Sequence, residues 1–279
     1  MASLTARKRF TSGDYDWLNT RSAHDCWFKK SQSLVAATSR TKNHRRRSRQ
    51  PRRQNRPAAP PEKTLEAVAA SLFRQWFVEE AQVDWEERPL SSWGAIICGK
   101  TPSKSEARYF GGDVPFIKIP DMHGQAFICK TEDSLTLEGR NSQPGKTIQA
   151  GAICVSCIAT VGLISLTTIA SQTNQQINSI VPVKDEYRYF LFLYMKSSFD
   201  LLHAMASGGT ATLNLNTGNF SNIAIPFPGE TLLEDFHAIA TPLFQKVLKN
   251  QLQICTLEKL RDTLLPKLMS GEVRVTQNG

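Results

Sequence analysis

From Glu230 to about Met269 the sequence reads as one long helix, and no other feature restricts the fold as strongly. Ala240, Leu243, Val247, Asn250, Ile254, Leu257, Leu264 and Leu268 fall near alternating spacings of three and four, with Arg261 also on the expected seam. A heptad seam of this kind wants a partner helix, and a polar residue within it, such as Asn250, sets register at some cost in stability. Pro242 predicts a kink in the first turns. Ser270-Gly271 stops the helix ahead of a short tail, 273–279. A second apolar stripe lies in TLEAVAASLFRQWFVEE, where Leu65, Val68, Ala69, Leu72, Phe73 and Trp76 recur at helical spacing behind Thr64 as a candidate N-cap.

The stretch between these helices has a different grammar. WGAIICG, VPFIKIP, AFICK, GAICVSCIATVGLISLTT and INSIVPV are short β-branched or aromatic runs separated by Gly, Pro, Ser and Asn turns. YRYFLFLYMKSSFDLLHAMA (187–206) interrupts them as one largely buried helix, and PFPG (226–229) ends the region. The fold class expected is α+β, a curved or barrel-like sheet flanked by a short helix and a long C-terminal coiled-coil-like helix.

Of the 279 residues, 41% are hydrophobic, enough for a packed core. No apolar run reaches the roughly 18–20 residues of a membrane span, and no signal peptide opens the chain. The six Cys fit a reducing cytoplasm. Cys154 and Cys157 form a CxxC, yet Cys98 and Cys129 stand alone and no His pair has ligand spacing, so small buried strand residues are the expected reading and no metal is expected.

The net charge of +9 is distributed unevenly. Residues 1–62 hold 15 Lys/Arg against 4 Asp/Glu, whereas 63–279 hold 19 against 21. The segment 1–62, with HRRRSRQPRRQNRPAAPPE at its end, shows no periodicity. It reads as a basic arm for phosphates, as a solvated linker, or as sequence that is not native coding sequence.

No catalytic constellation is present. Ser207-Gly208-Gly209-Thr210 lacks the Lys and spacing of a phosphate-binding loop and reads as a turn, and Asp113 and Asp121 sit in turn-like contexts. What remains is rich in amides, hydroxyls and cations. Gln172, Asn174, Gln175 and Gln176 cluster between strands, and Gln and Asn side chains make bidentate bonds to adenine in the major groove. GKTPSK places Lys100, Thr101, Ser103 and Lys104 after a Gly turn, a pattern suited to one phosphate neighbourhood. Arg108, Lys118, Lys130, Arg140 and Lys146 are further candidate contacts. For each Lys the bland alternative is a solvated face, and for QTNQQ it is a loop that bonds its own backbone. Asn214 and Asn216, in a Gly-rich stretch, read as turn residues.

In this order the parts resemble the C-terminal half of a type I restriction–modification specificity subunit. TLEAVAASLFRQWFVEE is similar to the end of that family's central helix, and GKTPSKSEARYFGGDVPFIKIPDM to the opening of a target-recognition domain. SQTNQQINSIVP and SGGTATLNLNTGNFSNIAIPFP resemble its later loops and final strand. LEKLRDTLLPKLMSGEVRV resembles its terminal helix and is the most specific of the matches. The resemblance implies a non-enzymatic, cofactor-free subunit that reads double-stranded DNA and directs methylation (M) and restriction (R) subunits. It implies a division into the end of the central helix (63–82), a target-recognition domain (83–228) and a spacer or dimerisation helix (229–272). Phe73, Trp76, Phe77, Val247, Ile254, Leu257, Leu264 and Leu268 become candidates for a partner-helix interface. Residues 1–62 fall where the family carries the rest of its central helix and the first recognition domain. With permitted synonymous codons, a one-base shift of 44–61 can read IAAVLGSLDDKIDLLRRQ, so 1–62 is read as disordered or out of frame. Two alternatives follow: a degenerate, non-functional fragment, or a half-subunit that forms a homodimer through its last helix to read a symmetric site. A standalone basic nucleic-acid binder using 1–62 is a further alternative.

Overall fold

The computed structural model describes residues 61–207, 212–270 and 272. The expectations for 1–60, for the 208–211 turn and for the 273–279 tail lie outside the described residues. The first helix, α1, spans Pro61–Arg74 and continues as a π-helical turn, Gln75–Glu79. Thr64 therefore lies inside the helix and is not its cap.

Ten strands follow: β1 (Glu86–Pro89), β2 (Gly94–Cys98), β3 (Phe110–Ile117), β4 (Phe127–Ile128), β5 (Asp133–Leu135), β6 (Ile153–Ser156), β7 (Ile164–Thr167), β8 (Gln172–Thr173), β9 (Ile177–Pro182) and β10 (Ala224–Phe227). They form three open sheets, ordered β1-β10, β2-β9-β6-β7-β4 and β5-β3-β8. The fold is α+β as expected, but no sheet closes into a barrel. Strands β2 and β4 are the edges of the five-stranded sheet, and β3 shifts register against β5 between Phe110 and Val114.

Between β5 and β6 lies a short helix, α2 (Leu137–Asn141). The segment expected as one helix over 187–206 is two, α3 (Arg188–Ser197) and α4 (Phe199–Ala206). The break falls at Ser198, whose hydroxyl donates to Tyr194 O at 2.7 Å. Serine bonds of this kind bend helices or end them. After α5 (Thr217–Ser221), β10 leads through Gly229, at φ 96°, into α6 (Glu230–Met269). Glycine permits that left-handed turn without a Cβ penalty. Helix α6 runs without interruption past Pro242 and Pro266.

One apolar core joins the helices to the five-stranded sheet. At its centre, Phe77 lies 4.9 Å from Phe190 and 5.0 Å from Phe236 between ring centroids, both edge-on, and Trp93 stacks on Phe190 at 5.3 Å. Edge-to-face and offset rings are the favoured aromatic geometries. Phe73 and Phe77 are thus buried against α3 and α6 of their own chain, so the helix they face among the described residues is α6. Val247 is likewise fully buried, and Trp76 is half-buried against Phe236.

Along α6 the buried positions are Leu233, Phe236, Ala240, Phe244, Val247 and Gln251. This seam is close to the expected one, with Phe244 and Gln251 buried in place of Leu243 and Asn250. Gln251 ends it by accepting a bond from Phe127 N at 3.0 Å. Beyond it, Ile254, Leu257, Leu264 and Leu268 are exposed among the described residues, together with Leu252, Leu260 and Leu265. At 1.5 Å per residue, this uncovered end of α6 is roughly 27 Å long.

Truncating Phe77 to alanine removes the ring that joins α1, α3 and α6. The expected loss is about 3–5 kcal/mol of unfolding free energy, read from urea denaturation of the full chain. A loss under about 1 kcal/mol would show that α1 is not part of the cooperative core.

Candidate nucleic-acid interface

Strands β2 and β9 pair antiparallel, with Cys98 opposite Asn178. The loop that leaves β2, Gly99 to Lys104, therefore lies at the same sheet end as the loop that enters β9, Asn174 to Gln176. Gly99 N donates to Ile177 O at 3.0 Å and Lys100 N to Thr173 O at 2.9 Å, so the contact between loops continues the ladder. The Thr101 hydroxyl then donates to Gln175 Oε1 at 2.8 Å. Two sequence motifs separated by some seventy residues thus form one polar surface.

Gly99 makes this approach possible. A Cβ there would lie 2.1 Å from Asn174 O and 2.5 Å from Thr173 O, both backbone atoms with no freedom to swing aside.

A third segment joins from the side. Thr136 caps α2, its Oγ1 accepting from Gly139 N at 3.1 Å and donating to Arg108 O at 2.7 Å. Behind α2, Gln143 turns inward. Its Nε2 donates to Lys100 O at 2.6 Å and to Gln172 Oε1 at 2.8 Å. Gln172 Nε2 in turn donates to Arg140 O (3.0 Å), Gln143 O (3.2 Å) and Thr147 Oγ1 (3.0 Å).

The predicted polar residues therefore divide. Gln172 is fully buried and its amide is committed inside the protein, so its assignment as a base reader is corrected: it is part of the scaffold. Asn174 is also buried; its Oδ1 accepts from Gln176 N at 3.1 Å and its Nδ2 donates to Gln176 Oε1 at 3.0 Å, an Asx-type turn. Of the four, Gln175 is the exposed one.

The cations divide too. Lys118 bridges Asp133 at 2.7 Å and Glu132 at 3.8 Å, and its hydrogen bond to Asp133 raises its pKa above the usual lysine value. Arg108 is held between Glu106 at 3.0 Å and Glu138 at 2.9 Å. Among the described residues, Lys100, Lys104, Lys130, Arg140 and Lys146 make no ion pair. Lys100 and Lys104 are exposed on the joined loops, and Ser103 Oγ lies 2.7 Å from Ser105 Oγ beside them. Arg140 and Lys146 are half-buried around Gln143. Lys130 lies beyond β4, the opposite edge of the sheet from β2.

Sequence reasoning missed Gln143. It sits in NSQPGK, a turn-like string with nothing to mark an inward-facing amide. Asn216 has the turn role expected of it, accepting from Asn219 N at 2.8 Å to cap α5. Asp121 is structural, accepting from Lys118 N and Glu132 N at 2.8 and 3.0 Å.

Cys154 and Cys157 are buried on and just after β6, and burial pushes their thiols up to about 12 and about 11. No cluster of three or more His, Cys, Asp or Glu suited to a metal exists among the described residues.

The joined loops thus form one polar surface at the β2–β9 end of the five-stranded sheet. The model of the type I restriction modification DNA specificity domain matches residues 82–249, and the chain belongs to that family. It is 52% identical over 191 residues to the HindI specificity subunit of Haemophilus influenzae, covering 68% of this chain and 42% of that protein. With the MjaIX specificity subunit of Methanocaldococcus jannaschii it shares 22% identity over 244 residues, 76% of this chain and 54% of that one. The chain thus spans about half the length of these curated relatives. The fold matches that of the type I restriction–modification S subunit from M. genitalium at a TM-score of 0.51 and 18% identity, covering 90% of this chain and 59% of that chain.

Two outcomes follow from this geometry. Gly99→Ala forces the two loops apart and lowers the melting temperature of the full chain, whereas Gly145→Ala, where a Cβ meets nothing within 4 Å, leaves it nearly unchanged. Equal melting temperatures would remove the steric argument. Iodoacetamide at pH 8 leaves Cys154 and Cys157 unmodified in the native protein and labels them after denaturation, because only the thiolate reacts and neither thiol ionises there. Peptide mass mapping reads both states.

Proposed function

We propose that this chain reads double-stranded DNA sequence for a type I restriction–modification complex in the cytoplasm, directing M and R subunits without catalysing a reaction or holding a cofactor. Residues 83–228 act as the target-recognition domain, with 63–82 and 229–272 as helical supports. The observation that carries this reading is the meeting of GKTPSK with QTNQQ at one sheet end, Thr101 against Gln175 at 2.8 Å. Membership of the DNA specificity family supplies the ligand class. No helix among the described residues is long and apolar enough to cross a membrane.

In this reading Lys100, Lys104 and the Thr101 and Ser103 hydroxyls hold phosphates, while Gln175 and Gln176 face base edges. Arg140 and Lys146 flank the same surface, whereas Lys118, paired with Asp133 and Glu132, and Lys130, beyond the far edge strand, take no part in it. Phosphate contacts position a protein on the duplex, and base contacts carry the specificity.

A second reading rests on the uncovered end of α6. Its exposed leucines and Ile254 favour a homodimer of half-subunits that reads a symmetric site. In sedimentation velocity at tens of micromolar the full chain then runs as a dimer, and the double variant Leu257→Glu, Leu264→Glu as a monomer. A monomeric unmodified chain would refute this second reading.

The central test uses the full chain with the M subunit of its system and a panel of duplexes. The expected result is a preference for a subset of sequences. Gln175→Ala should narrow that preference by about 1–3 kcal/mol. Lys104→Ala should weaken binding to all duplexes alike and lower the salt slope by about 0.9. An unmodified complex that binds every duplex equally ends the proposal.

A further inference from the structure

We propose that the buried Gln143–Gln172 amide pair determines which bases are preferred without touching one, by fixing three loops relative to one another; this rests on the reading of the chain as a DNA reader. Both side chains are closed off from solvent, Gln172 at 0% and Gln143 at 8% exposure. Gln143 spends one amide hydrogen on Lys100 O and the other on Gln172 Oε1. Gln172 directs its own NH2 at Arg140 O, Gln143 O and Thr147 Oγ1. The pair therefore ties the β2–β3 loop, the segment after α2, and β8 with the loop behind it.

Those three segments carry Lys100 to Lys104, Arg140 and Lys146, and Asn174 to Gln176. Recognition of a base edge demands positional accuracy of a few tenths of an ångström in hydrogen-bond length, whereas a lysine on a phosphate tolerates more. A shift of one loop against another therefore erodes base preference before it erodes phosphate binding. Stability alone would not require this arrangement. Apolar groups of similar shape can replace a satisfied polar pair at little cost, but they do not dictate one mutual position.

Gln143→Glu keeps the shape and removes both donor hydrogens, leaving a carboxylate against Lys100 O and Gln172 Oε1. Thr147→Val, nearly isosteric, removes a single acceptor and serves as the milder variant if the first does not fold. Gln175→Ala provides the comparison for direct loss of a base contact. Each full-length chain, with its M subunit, is used to select from a duplex library randomised through its centre. The selected pools are sequenced, and affinity is measured for one preferred and one non-preferred duplex. Melting curves report the fold.

The expected result for Gln143→Glu is a loss of roughly tenfold in the preferred-to-non-preferred ratio. Affinity for the non-preferred duplex stays within about twofold, and preference is lost at several positions of the site. Thr147→Val moves in the same direction by less. Parallel loss of affinity for both duplexes, with an unchanged ratio and a lowered melting temperature, would overturn the inference and leave the functional reading standing. An unmodified chain that selects no sequence at all would instead remove the functional reading and the inference together.

Discussion

The antiparallel pairing of β2 with β9 is the constraint on which the rest of the molecule depends. Its register, from Gly94 opposite Pro182 to Cys98 opposite Asn178, delivers two distant loops to one place. Ladder-like bonds then continue past the strand ends through Gly99 and Lys100, so the loops inherit the rigidity of the sheet. A surface built in this way differs from a flexible basic patch. Its cations are few, its hydroxyls and amides are held, and several charged residues near it, Lys118 and Arg108 among them, are already neutralised.

The aromatic cluster makes the sheet and the helices one body. Phe77 meets Phe190 and Phe236 at once, while Tyr189 stacks on Phe244 at 4.4 Å. Helix α1 is too short to be stable alone in water, and its amphipathic face supplies the missing free energy through tertiary packing. The same contacts hold the first half of α6 against α1 and α3.

Much of this was legible in the sequence. The apolar repeat placed α6 at Glu230–Met269, and the stripe from Leu65 to Trp76 marked α1. Polar loops at GKTPSK and QTNQQ stood out because strand-like runs flank them. What escaped is of one kind: outcomes decided by contacts between residues far apart in the chain. Gln172 and Gln175 are neighbours in one polar string, yet one is fully buried and the other exposed. Partners 25 to 32 residues away settle that difference, and no local pattern encodes them. The Ser198 break was hidden by an apolar run that continues on both sides of it. The division of short strands into three open sheets has no period to read.

The chemistry of the buried amide pair carries an evolutionary consequence. Apart from Thr147, the groups it grips outside itself are main-chain carbonyls, those of Lys100 and Arg140. Main-chain atoms are the same whatever residue occupies the position. Side chains at 100 and 140 can therefore drift or be exchanged under selection while the framework beneath them keeps its dimensions. Substitution at the rim therefore leaves the support beneath it intact.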